Sequence, residues 1–182
     1  MKYLRNKKSL TLGVGPNDMK IETATADDHD QLRTLFRVAY LKYVRRIGKE
    51  PEPMTTDYGP KIEKGLVFVI REDATIIGVV VLENREGYLY LGSLAVSPKH
   101  QGKGIGGRLL KYAEEEALRR GFGEIRLFTN EKMWETIAIY NKYGYKETGR
   151  NEESGFKRVY FTKTLSQPAT EDTDDLRRAK AQ

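Results

Sequence analysis

Four glycines crowd a predicted strand–turn–helix junction, where backbone groups can bind an anion. The stretch VSPKHQGKGIGGRLL, residues 96–110, places Gly102, Gly104, Gly106 and Gly107 where a helix begins. Glycine weakens a helix by about 1 kcal/mol relative to alanine. A helix start, however, offers unpaired N–H groups and a partial positive charge, and glycine lets an anion approach them. The stretch therefore predicts a phosphate cradle; a tight turn with close helix–sheet packing is the alternative.

Two familiar nucleotide motifs do not fit this cradle. A P-loop needs Ser or Thr after its lysine, whereas Lys103 is followed by Gly104. The dinucleotide pattern G-x-G-x-x-G is matched by Gly102, Gly104 and Gly107, but SPKHQ separates the strand from the first glycine. Glu124, the acidic residue about 20 positions on, opens the next strand instead of closing it. A nucleotide-dependent oxidoreductase is therefore disfavoured.

The elements around the cradle predict one α/β domain with a mixed sheet. The apolar periodicity predicts strands at 19–25, 66–70, 75–83, 87–96, 124–130, 145–150 and 156–165, and helices at 26–44, 105–120 and 134–143. The breaker-rich segment 45–60 is predicted as a loop, followed by a helical turn that ends at Gly65. The three strands between 66 and 96 are expected to form an antiparallel meander.

Composition limits the function classes. The 182 residues include no cysteine, which excludes disulfides, and only His29 and His100, too few and too scattered for a zinc site. No apolar run is long enough to span a membrane, and residues 1–18 lack the apolar core of a secretory signal. We therefore expect a cytoplasmic protein with no membrane partner. The net charge of +6 suits an anionic cofactor, but aromatic residues do not alternate with the basic ones of the N-terminal tail, so nucleic acid is not expected.

The element order and two motifs resemble the GNAT superfamily of acetyl-CoA-dependent N-acetyltransferases. In LAVSPKHQGKGIGGRLL, Gln101, Gly104 and Gly106 occupy the Q/R-x-x-G-x-G/A motif, and IYNKYGY is similar to the later L-Y-x-x-x-G-F/Y signature through Tyr140. The resemblance implies a single-domain GNAT fold over residues 19–165, with a mixed, mostly antiparallel central sheet flanked by helices. Residues 1–18 are then a basic flexible tail and residues 166–182 a polar tail.

The resemblance also implies the ligands and the site. Acetyl-CoA is the expected cosubstrate, no metal is expected, and the acceptor is a primary amine of a small molecule or a protein; a homodimer is compatible with it. Tyr140 is implied as the general acid that protonates the coenzyme A thiolate, with packing in the core as the alternative. The implied cofactor-binding residues are Leu94, Ala95, Val96, Gln101, Gly102, Lys103, Gly104, Ile105, Gly106, Gly107 and Asn130.

One departure from the family pattern concerns the base. Many members carry a glutamate on the fourth strand, but the equivalent stretch here, residues 91–93, reads Leu-Gly-Ser. Glu83, Glu135 and Asp57 remain as candidates, and Asp57 with Tyr58 lies in the segment expected to contact the acceptor. Without a base, the amine would lose its proton through water or bind in its neutral form. The missing carboxylate also keeps open a second function, a non-catalytic acyl-CoA sensor or interaction module.

Overall fold

The computed structural model describes residues 19–166 and contains seven strands and five α-helices there. The strands are β1 (Ile21–Thr23), β2 (Val67–Glu72), β3 (Thr75–Arg85), β4 (Tyr88–Val96), β5 (Glu124–Asn130), β6 (Lys146–Glu153) and β7 (Phe156–Thr164). The helices are α1 (His29–Ile47), α2 (Glu52–Thr55), α3 (Gly59–Glu63), α4 (Ile105–Arg119) and α5 (Trp134–Lys142). The predicted tails, 1–18 and 166–182, lie outside the described residues except for Ser166.

The sheet has the order β1-β2-β3-β4-β5-β7-β6, and its neighbours are antiparallel except for β4 and β5. The antiparallel β2–β4 meander follows the prediction. β2 and the middle of β3 are apolar on both faces because helices cover both sides of the sheet. One core cluster joins α4 and α5 to one face through Leu109 and Tyr140. The other joins α1 and α3 to the opposite face through Phe36 and Ile62.

The segment 45–60 differs from its prediction as a loop. The last turn of α1 extends to Ile47 and ends at Gly48, whose φ of 90° closes the helix in the left-handed conformation. Two short helices, α2 and α3, then follow, each with a proline in its first turn. The prolines indicate a loop when they are regarded only as breakers. At a helix start, however, a proline loses no hydrogen bond and has a suitable φ.

β4 and β5 lie side by side only at their beginnings. The parallel pairing is confined to Leu89 with Ile125 and Tyr90 with Arg126, and beyond this point no pairing continues. On its other edge, β4 carries a bulge against β3, because the register shifts between the partners of Ser93 and Leu91 and leaves Gly92 unpaired. The second half of β4 therefore has one edge open.

Candidate functional site

A cleft of about 810 Å³ opens where β4 and β5 separate, and residues of α1, β4, α4, β5, α5 and β7 line it. Most of the sequence-predicted site lines this cleft: Leu94, Ala95, Val96, Gln101, Gly102, Gly104, Gly106, Gly107, Asn130 and Tyr140. Two predicted residues do not. Lys103 is exposed outside the lining, and the side chain of Ile105 is buried in the core beneath α4.

The start of α4 presents unpaired backbone donors to this cleft. Gly104 is the residue before the first turn, and its carbonyl accepts the first helical hydrogen bond, from the N–H of Arg108 at 3.0 Å. The N–H groups of residues 105–107 therefore have no acceptor within the helix. The first turn holds no acidic residue, and no side chain from residues 19–166 caps it. Although the side chain of Ile105 is buried, its N–H belongs to this set of three donors, an arrangement that suits an anion.

The four glycines of the turn serve different purposes. Gly102 and Gly104 have φ values of 78° and 87°, which other residues rarely adopt. A Cβ on Gly107 would overlap the hydroxyl of Tyr143, so this glycine allows α5 to approach α4. A Cβ on Gly106 would make only an ordinary contact, 3.8 Å from a valine methyl group. The tight-turn interpretation thus explains three glycines, and Gly106 is the one that the protein's own packing does not require.

The open edge of β4 directs alternate backbone groups into the cleft. The N–H of Ser97 donates to the carbonyl of Ile77 at 2.8 Å, which fixes the alternation of hydrogen bonds between β3 and β4. By this alternation, Leu94 and Val96 point their N–H and C=O groups away from β3 and towards the gap. Ala95 instead directs its N–H and C=O towards β3, which leaves no backbone donor there for a ligand.

Two side chains already occupy the carbonyls on this edge. The Tyr40 hydroxyl donates to the carbonyl of Leu94 at 3.0 Å, and Nε2 of Gln101 donates to the carbonyl of Val96 at 3.1 Å. Burial raises the pKa of Tyr40 well above its usual value, so the hydroxyl is a neutral donor. Sequence periodicity placed Tyr40 only in the core. Its contact with β4 depends on how α1 crosses the sheet, for which the sequence gives no signal.

Tyr140 belongs both to the core and to the cleft. It is 7% exposed, and its ring lies 5.7 Å from that of Tyr145 and 5.6 Å from that of Phe161, measured between centroids. Burial raises the pKa of Tyr140, and the nearby Tyr43 adds to the effect. The hydroxyl is therefore protonated at neutral pH and can donate a proton or a hydrogen bond. The packing and acid interpretations of Tyr140 are thus compatible.

The cleft also contains residues that the sequence pattern did not identify. Lys42 from α1 and Lys142 from α5 line it, and Nζ of Lys42 lies 3.5 Å from Oε1 of Gln101. Lysines on exposed helix faces are common, so their sequence positions carry no signal. Asn130 lines the cleft while its Oδ1 accepts the N–H of Lys132 at 3.0 Å, so it also closes a turn.

The structure separates the candidate bases. Asp57 is exposed outside the cleft, where its carboxylate accepts the N–H of Gly59 at 2.9 Å and lies 3.2 Å from His29. These contacts, led by the Gly59 hydrogen bond, lower the pKa of Asp57. Glu135 lines the cleft, but Arg46 holds its carboxylate at 2.7 Å and, through that hydrogen bond, lowers its pKa.

Glu83 is the third candidate, and it lies in the cleft next to β4. Its side chain is 16% exposed and forms ion pairs with Lys61 and with Arg85, the latter at 2.9 Å. Its Oε1 is 3.2 Å from the position that a Cβ of Gly92 would occupy. Residues 91–93 of β4 include no carboxylate, but the side chain of Glu83, from β3, places one beside Gly92.

Tyr58, predicted as an acceptor contact, is mostly a packing residue. Its ring stacks on Phe36 with the centroids 4.3 Å apart, and it is 3% exposed. Burial raises its pKa to about 12. The hydroxyl lies at the wall of the cleft, 3.3 Å from Oγ of Ser93.

Two further observations concern metals and membranes. In residues 19–166, no three His, Asp or Glu side chains come together in a way that could bind a metal ion. Nor does this part of the chain have a helix that is both long and apolar enough to cross a lipid bilayer.

Comparisons with known proteins identify the domain. Residues 63–147 match the model of the acetyltransferase (GNAT) domain. N-acetyltransferase family 8 member 2 of Rattus norvegicus is 27% identical over 135 residues, which cover 70% of this chain and 59% of the relative. An acetyltransferase of Agrobacterium fabrum is 31% identical over 93 residues, which cover 50% of this chain and 66% of the relative. The match thus spans less than two thirds of these relatives' lengths.

A solved structure shares the fold. The PaiA N-acetyltransferase of Thermoplasma acidophilum, in complex with coenzyme A, superposes with a TM-score of 0.69 at 20% identity. The superposition covers 81% of this chain and 99% of the other. The seven-stranded sheet with its flanking helices is thus a fold that a solved N-acetyltransferase shares. The matched domain and the shared fold support membership of this chain in the GNAT superfamily of acetyltransferases.

Proposed function

We propose that the protein is an N-acetyltransferase that moves an acetyl group from acetyl-CoA to a primary amine. One observation carries this proposal. Gly106 and Gly107, at the start of α4 where the N–H groups are unpaired, line the same cleft as the open edge of β4. A long ligand with a phosphate end and an extended arm fits this arrangement. Charge-assisted hydrogen bonds from the helix start would hold the phosphate, and the open strand edge would hydrogen-bond to the arm.

The pyrophosphate and the amide-containing arm of acetyl-CoA each have a suitable set of residues. The donors of residues 105–107 suit the pyrophosphate, and Lys42 and Lys142 add positive charge to the same cleft. The N–H of Val96 suits the amide-containing arm. When bound, acetyl-CoA supplies an activated thioester, so the protein needs no metal to activate the acyl group.

The chemistry requires three further tasks. A neutral amine must be produced, the oxyanion formed on attack must be stabilised, and the departing thiolate must be protonated. The N–H of Leu94 points into the gap and suits the oxyanion. Tyr140, with its protonated hydroxyl at the cleft wall, suits the thiolate. This assignment agrees with the role that the family resemblance implies for Tyr140.

The alternative function is an acyl-CoA sensor that binds the same ligand without turnover. It was suggested by the missing carboxylate on β4, and Glu83 at that place in the cleft weakens it. Thiol release separates the two functions, since a sensor releases none with any amine. The cytoplasmic location, the homodimer and the nature of the acceptor remain predictions.

Thermal denaturation with a panel of ligands tests the proposal. Acetyl-CoA and CoA should raise the melting temperature, whereas NAD and ATP should have little effect. A ligand at 100 times its dissociation constant stabilises the folded state by about 2.7 kcal/mol. Release of free thiol from acetyl-CoA is then measured with a panel of primary amines. A larger shift with NAD than with CoA would contradict the proposal.

A further inference from the structure

The carboxylate of Glu83 lies directly over the bulge of β4. Oε1 is 3.2 Å from the Cβ position of Gly92, and the ring of Tyr90 is 3.4 Å from the same position. Tyr90 is also the cross-strand partner of Glu83, so both side chains project from the same face of the sheet. Because Gly92 has no side chain, the two groups fill the space above it and face the cleft.

An ammonium group of the protein already forms an ion pair with this carboxylate. Nζ of Lys61, on α3, donates to Oε1 of Glu83, and Nη2 of Arg85 donates to Oε2 at 2.9 Å. Lys61 and Glu83 both line the cleft. A carboxylate has about four acceptor positions, so these two bonds do not saturate it. Lys61 therefore shows how a primary ammonium is bound at this point of the cleft.

An amine acceptor needs such a group. A free alkylamine has a pKa of roughly 10.4, so it arrives mainly as the ammonium ion, which cannot attack a thioester. A partly buried carboxylate attracts the ammonium and can accept its proton. Asp57 lies outside the cleft, and Glu135 is held by Arg46. Glu83 is therefore the carboxylate best placed for this task.

We propose that Glu83 binds the ammonium of the acceptor in exchange for Lys61 and takes its first proton. This inference rests on the proposed acetyl transfer. The neutral nitrogen then bonds to the thioester carbonyl carbon and the C–S bond breaks. The thiolate takes a proton from Tyr140, which recovers one from the nitrogen, and Glu83 releases its proton to water. The acceptor class is thus primary ammonium compounds, and isosteric alcohols are excluded.

Other charged and titratable groups surround Glu83. Lys61 and Arg85 face it directly, and burial raises the pKa of Tyr90, which keeps that residue neutral. Glu52 from α2 and Arg158 from β7 lie further along the cleft and pair with each other at 2.7 Å. Removal of Lys61 therefore takes away one of the two cations that directly compete with an acceptor.

The test uses the full chain, with CoA present, and a matched pair of probes. The probes are 2-phenylethylammonium and 2-phenylethanol, which differ in charge but hardly in shape, and calorimetry measures their binding. The variants are Glu83→Gln, Lys61→Met and, as a control, Glu63→Gln on the exposed side of α3. We expect Glu83→Gln to weaken binding of the ammonium probe at least tenfold without changing CoA affinity. We expect Lys61→Met to strengthen it several-fold, and Glu63→Gln to have no effect.

A second readout is the pH dependence of kcat/KM for 2-phenylethylamine and a less basic amine, benzylamine. With Glu83 present, the two profiles should level off at a common pH; in Glu83→Gln, each should follow the pKa of its own amine. Equal ammonium binding by the wild type and Glu83→Gln, or no ammonium binding even by Lys61→Met, would overturn the inference. In those cases CoA binding and thiol release would still support acetyl transfer. If the wild type fails to bind CoA, the proposed function fails and the inference fails with it.

Discussion

Replacing Gly106 by valine tests the phosphate cradle without disturbing the turn. Gly104 is unsuitable for this purpose, because its φ of 87° would strain any branched residue whether or not a ligand binds there. Gly106 has a helical backbone, and a Cβ there would lie 3.8 Å from Cγ2 of Val96, an ordinary contact. The new side chain would stand at the cleft wall, next to the unpaired N–H groups of residues 105–107.

The expected effects on binding and folding have different magnitudes. A hydrogen bond to a charged group contributes about 1.5–3 kcal/mol. If the valine blocks one of the three donors, CoA affinity should fall at least tenfold, which corresponds to about 1.4 kcal/mol. Valine is a few tenths of a kcal/mol better than glycine in a helix interior. The free energy of unfolding without ligand should therefore stay nearly unchanged or rise slightly.

Calorimetry with CoA and a thermal melt of the free protein measure both effects. Gly106→Ala should lose less affinity than Gly106→Val, because only one carbon is added. Gly123→Val is the matched control, since Gly123 lies outside the cleft and has no positive φ, and no atom of the described residues lies within 4 Å of its Cβ position. A folded Gly106→Val variant that binds CoA as tightly as the wild type would refute the cradle assignment.

Three further outcomes are expected. Tyr140→Phe should lower kcat at least tenfold in the thiol-release assay, because the proton donor is lost. CoA affinity should change little, because the ring still packs. An unchanged kcat would make Tyr140 a core residue only. Gly107→Ala should destabilise the fold by about 1–3 kcal/mol in urea unfolding, because its Cβ overlaps the hydroxyl of Tyr143. The double variant Gly107→Ala, Tyr143→Phe should recover part of this loss, because the overlapping hydroxyl is removed. Burial alone would raise the pKa of Asp28, but hydrogen bonds from Arg71 at 2.7 Å and from a backbone N–H lower it overall. The stabilisation from Asp28 is therefore complete above the unfolded-state pKa of about 3.9 and is lost as pH falls through the lower folded-state pKa. In Asp28→Asn, the free energy of unfolding should consequently fall less steeply as the pH is lowered through this range.

Local signals in the sequence were sufficient for most of the fold. The β-branched runs predicted the meander of β2, β3 and β4, and helical spacing predicted α1, α4 and α5, because burial of one face imposes these periods on each element separately. The same reasoning missed α2, which is too short to show a period and has prolines at its start, and it predicted α3 only as a helical turn before Gly65. The glycine turn and the tyrosine of IYNKYGY were found because both are contiguous motifs.

Other features of the site depend on contacts between distant segments. Gly107 is required by contact with Tyr143, the residue directly after α5. The carbonyl of Leu94 accepts a hydrogen bond from Tyr40, on α1. The sequence left Glu83, Glu135 and Asp57 equivalent, because nothing local ranks three carboxylates. The tertiary structure distinguishes them. The bulge at Gly92 leaves room over β4 for the side chain of Glu83, from β3, which reaches the stretch 91–93 where β4 itself has no carboxylate. Strand register and helix crossing are set by packing of the whole sheet, so they carry no signature in any single stretch of residues.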